Sequence, residues 1–74
     1  MTIVHVTLKE AARANPKLKE RLRQWIAALG MHDINQKRFE RYGVLTGVID
    51  EALVPQIEEI DEVEAVECDR ARGI

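Results

Sequence analysis

A chain of 74 residues holds one domain, residues 1–74, and falls far short of a barrel of eight strands and eight helices. Hydrophobic residues at 46% and charged residues at 32% give a globular rather than a disordered balance. A net charge of -2 supplies no electrostatic drive toward nucleic acid or an anionic membrane, and a single cysteine, Cys68, excludes an internal disulfide.

The start, Met1 to Val6, lacks the basic region and long apolar run of a secretory signal. No segment approaches membrane-spanning length, so a cytoplasmic protein is the expectation. Ile3 to Leu8 reads as a first strand, with Val4, Val6 and Leu8 on one face and Ile3, His5 and Thr7 on the other. Lys9 to Ala14 reads as a polar, small-residue connection.

A helix follows. Asn15 suits the N-cap and Pro16 the first helical position. Leu18, Leu22, Trp25, Ile26 and Leu29 then form one apolar stripe, and Gly30 supplies a left-handed stop. Asp33 to Tyr42 carries a weak strand pattern anchored by Ile34, Phe39 and Tyr42. Its charges suit an edge strand.

Gly43 to Ile49 is a strand with no polar face. Val44, Thr46 and Val48 share one side, Leu45, Gly47 and Ile49 the other. A sheet with one wet face should alternate apolar with polar. In so small a domain helices cover one face, so the second face is expected to be covered by another molecule. Asp50 caps a second helix through Leu53, Ile57 and Ile60, with an irregular first turn because Pro55 lacks an N–H. Val63 to Cys68 closes the pattern as a last strand, followed by a short tail.

The order is βαββαβ, which predicts an α+β, ferredoxin-like fold: a four-stranded antiparallel sheet with two helices on one face. The expected core takes Val44 and Val48 from the apolar strand, together with Trp25. The expected open, partner-binding face is Ile3, His5, Thr7, Leu45, Gly47 and Ile49.

The segment from Tyr42 to Leu53, followed by Ile57 to Asp69, resembles the propeptide-like inhibitor family of subtilisin-type serine proteases. Gly43 matches the strand glycine, Leu53 the helix leucine, and Val63, Val66, Glu67 and Asp69 the ending. Val44 stands in place of an aromatic, and Glu62 in place of a glycine at a turn. The resemblance implies that the open sheet face lies on two helices of a protease. It also implies that the tail Ala71, Arg72, Gly73 and Ile74 enters the active-site cleft as a substrate would. β-Branched Ile74 fits poorly in a pocket preferring long or aromatic side chains. Similar small bacterial proteins are sometimes labelled keto-hydroxyglutarate aldolase. Such an enzyme implies a barrel of about 200 or more residues and a lysine in an apolar run, which this chain does not have.

No catalytic residue, cofactor or metal is expected. His5, His32 and Cys68 lack the close spacing of zinc ligands. The acidic run from Glu58 to Glu64 reads as a solvated surface. Its sharper reading is a cap on partner helix N-termini. Arg41-Tyr42-Gly43 faintly resembles an RNA-binding strand but lacks companion aromatics. The expected partner is therefore a subtilisin-like protease, or a second copy in a homodimer that covers the open face.

Overall fold

The structure is a computed structural model that describes residues 2–69. It is α+β: one three-stranded antiparallel sheet, with its helices stacked on one side. Strand β1 (Thr2–Leu8) lies between β2 (Val44–Ile49) and β3 (Val63–Asp69). Val6 stands opposite both Leu45 and Val66, and Val4 opposite both Gly47 and Cys68.

The helix from Asn15 forms as its caps dictate. It is α2 (Pro16–Leu29), preceded in the connection by the short α1 (Glu10–Arg13). The Asn15 side chain accepts from the N–H groups of Lys17 and Leu18, and Gly30 ends the helix at φ 127°. The polar, small-residue connection thus contains one helical turn, whose Ala12 is buried. On the wet side of α2 the Arg23 guanidinium hydrogen-bonds Glu20 and holds its carboxyl below the usual carboxylate range.

The segment from Asp33 to Tyr42 is not a strand. It is α3 (Gln36–Tyr42), with the Asn35 side chain accepting from the Arg38 N–H and Gly43 ending it in the left-handed conformation. Caps at both ends, with good helix formers between them, outweigh a weak period-two pattern. What remains extended is the approach to it. His32 and Val48 exchange backbone hydrogen bonds of 2.9 and 2.8 Å, and the Asn35 N–H donates to the Thr46 carbonyl at 2.9 Å. The sheet therefore has three strands rather than the four expected.

After β2, Asp50 accepts from the Ala52 N–H and starts a 3-10 turn (Glu51–Leu53) that runs into α4 (Val54–Glu58). The first turn is irregular, as Pro55 requires. The following turn needs no left-handed residue. Asp33 is the one described non-glycine residue at positive φ, so Glu62 sits in its turn without strain, and its carbonyl accepts from the Lys9 N–H at 2.8 Å.

The core comprises Val4, Val6, Leu8, Ala12, Leu22, Ile26, Met31, Phe39, Leu45, Ile49, Ile57, Ile60 and Val63. Leu18, Leu29, Leu53 and Val66 pack against it half-buried. Three expectations fail here. Trp25 is 51% exposed, and Val44 and Val48 are half-exposed on the far side of the sheet. Leu45 and Ile49 replace the two valines inside, each 0% exposed.

Gly47 shows why that phase is held. A Cβ there would stand 2.7 Å from Met31 Cγ and 3.0 Å from the His32 carbonyl, because Met31 lies directly on the strand backbone. Gly47→Ala is expected to destabilise the fold by about 1–3 kcal/mol through overpacking, read as a fall in the urea midpoint. Val48→Thr, one residue away on the opposite face and half-exposed, is expected to cost less, within about 1 kcal/mol of the parent.

Candidate functional site

The side of the sheet away from the helices is open. The pairing of β1 with β2 and β3 sets its rows. Ile3 lies between Val48 and Asp69, His5 between Thr46 and Glu67, and Thr7 between Val44 and Ala65. Of the six residues expected there, the structure brings Ile3, His5 and Thr7 to this face together. Leu45, Gly47 and Ile49 are a correction: they face the helices and are buried. The reason is register. Leu45 stands opposite core residue Val6, and a one-residue change of phase carries every side chain of β2 across the sheet. The same shift brings Val44, Thr46 and Val48 to the open face.

The face is consequently less apolar than expected. Its apolar surface is Ile3, 44% exposed, flanked by Val48 in its own row and by Val44 and Ala65 further along. The middle row is polar. His5 Nδ1 and Thr46 Oγ1 share a hydrogen bond of 3.0 Å, its direction set by the ring tautomer. His5 Nε2 lies 3.8 Å from Asp69 Oδ2. Glu67 and Asp69 give the β3 margin an acidic edge.

A hydroxyl, an imidazole and a carboxylate thus stand in series on an open pleated surface. The N–H groups of β1 beneath them are engaged by strands on both sides. The concavities around α3 are elsewhere, lined by Asn35, Lys37, Arg38, Glu40, Arg41 and Tyr42, and by Arg13, Lys19 and Gly43 beside them. The arrangement suits recognition: an apolar row for contact area and a polar row to fix orientation.

His32 lies past the end of α2 and meets Asp33, with Nδ1 3.0 Å from Oδ2. Cys68 is half-buried on the core side of β3. Among the described residues no group of three or more His, Cys, Asp or Glu side chains could hold a metal ion. No helix among them is long and apolar enough to cross a membrane. The expected cleft tail, Ala71, Arg72, Gly73 and Ile74, lies outside the described residues.

Sequence reasoning missed Val44, Thr46 and Val48 as face residues. The signal that could have found them was Thr46, the single polar side chain in the strand. A threonine belongs on the solvent side when the alternative is a core of valine and leucine. No family model matches the chain, and neither does any curated protein or solved structure.

Proposed function

We propose that the chain is a non-enzymatic protein-binding module that uses the open sheet face to inhibit a subtilisin-like protease or to assist its folding. The observation that carries this reading is the sheet itself. Helices cover one side, and the other presents Ile3, Val44 and Val48 around the His5–Thr46 pair. The arrangement also supports a ferredoxin-like plan in which the second strand has shrunk to the hydrogen bonds made by His32 and Asn35. That plan matches the chain order of the propeptide-like inhibitors that the sequence resembles.

In this reading Ile3 and Val48 supply the contact area and His5 and Thr46 the polar register. The tail from Ala71 to Ile74 adds strand-type hydrogen bonds in the protease cleft. The test is an inhibition constant on one subtilisin-type enzyme. The parent chain is expected to inhibit, and the double variant Ile3→Lys, Val48→Lys to weaken about 30-fold, as two lost apolar anchors worth about 2 kcal/mol require. Removal of residues 71–74 should weaken inhibition strongly with folding unchanged, and Ile74→Tyr should strengthen it. Absence of inhibition by every form removes the reading. If the parent instead forms a dimer that the Ile3 and Val48 replacements dissolve, the face belongs to a second copy of the chain.

A further inference from the structure

The charges of the chain are segregated. Residues 1–42 carry nine cations and four anions, whereas residues 43–74 carry two cations and nine anions. The strand order turns this split into geometry. Helix α3 starts from the outer edge of β2, where Asn35 bonds Thr46, and α4 packs beside β3 at the other edge of the sheet. One flank therefore presents Lys37, Arg38 and Arg41, with Arg13 adjoining beside Gly43 and with Glu10 and Glu40 as the opposing charges. The opposite flank presents Glu58, Glu59, Asp61 and Glu64, all exposed.

The basic flank has the chemistry of a contact surface. Among the described residues, Arg13, Lys37, Arg38 and Arg41 make no ion pair within the chain. Tyr42 stands among them 59% exposed, while Phe39 of the same helix is buried. Exposed tyrosine with arginine is the composition of energetic contact points in protein interfaces. Like flanks repel each other: two acidic β3 edges do not pair, and two basic α3 surfaces do not meet. The complementary surface is the acidic flank of another copy.

We propose that copies of this chain associate head to tail, the basic α3 flank of one against the acidic α4–β3 flank of the next. Such a contact is heterologous, so it leaves one unused flank at each end of a pair and assembly passes beyond two chains, to a ring or an open array. It goes beyond the sheet-face reading and does not depend on it.

Sedimentation tests it. At about 0.01 M salt, where charges act over some 30 Å, the average mass should rise with concentration beyond two chains. At about 1 M salt it should fall to one chain. Two double variants separate the flanks. Lys37→Glu with Arg38→Glu removes the basic flank and suits the first turn of α3, where acidic residues favour the helix dipole. Glu58→Lys with Glu64→Lys removes the acidic flank. Each should be monomeric and melt as the parent does. Mixed in equal amounts, they should associate, because each retains the flank that the other needs. A parent chain that stays monomeric at low salt, an association that survives high salt, or a mixture that stays monomeric overturns the proposal. Both variants should keep any protease inhibition, and the Ile3 and Val48 replacements should keep the association, so the two ideas fail separately.

Discussion

Leu45→Lys is expected to abolish the folded state. Leu45 is 0% exposed, faces the helices and stands opposite Val6 at the centre of the sheet. The replacement removes a buried leucine, worth about 1.5–3 kcal/mol. It also places an ammonium in a core that holds no buried polar or charged residue among the described residues. An unpaired buried charge adds several kcal/mol more. A domain of this size has roughly 4–11 kcal/mol in total at typical per-residue values, so the sum reaches or exceeds what is available. The check is far-ultraviolet circular dichroism with a urea melt at neutral pH. The control is Val44→Lys, on the open face, which should fold. A cooperative melt for Leu45→Lys, close to that of the parent, would mean that β2 faces the other way.

The second large effect is Leu22→Ala, expected to cost about 2–5 kcal/mol through lost burial and the cavity left behind. Leu22 is 2% exposed and lies with Ile26 on the buried face of α2. Its informative partner is Trp25→Ala. A buried tryptophan costs about 3–5 kcal/mol to truncate, but Trp25 is 51% exposed and should cost less than about 1 kcal/mol. Denaturant melts of the two variants give the rotation of α2 about its axis. A larger loss for Trp25→Ala than for Leu22→Ala would turn the helix.

These expectations mark where the sequence was readable. Helix α2 was legible at both ends, because Asn15, Pro16 and Gly30 act within a few residues of themselves. Its exact rotation was not. A helix turns about 100° per residue, which puts Trp25 at one margin of a stripe centred between Leu22 and Ile26. An apolar side chain at a margin can be inside or outside. Strand β2 was legible as a strand apolar on both faces, but that property hides its phase. The phase is fixed by pairing with Val4 and Val6 and by Met31 against Gly47, contacts made between distant parts of the chain. Helix α3 carries its signals locally, since Asn35 and Gly43 bracket it, but the weak strand pattern anchored by Ile34, Phe39 and Tyr42 competes with those caps over so short a segment. For the candidate site, β1 contributed Ile3, His5 and Thr7 as expected. The β2 contribution was exchanged for its neighbours.

The central place of β1 has a kinetic consequence. Neither of its two pairings closes through a tight turn: one ladder waits for the chain to return from Leu8 to Val44, and the other from Leu8 to Val63. Without a hairpin there is no small piece of sheet that can form first and wait for the rest. Most of the sheet contacts are distant in sequence, which makes for slow, all-or-none folding relative to a helical bundle of equal length. The same topology puts the slowest-exchanging amides in Val4 and Val6, which are fully buried in the central strand with a partner strand on each side.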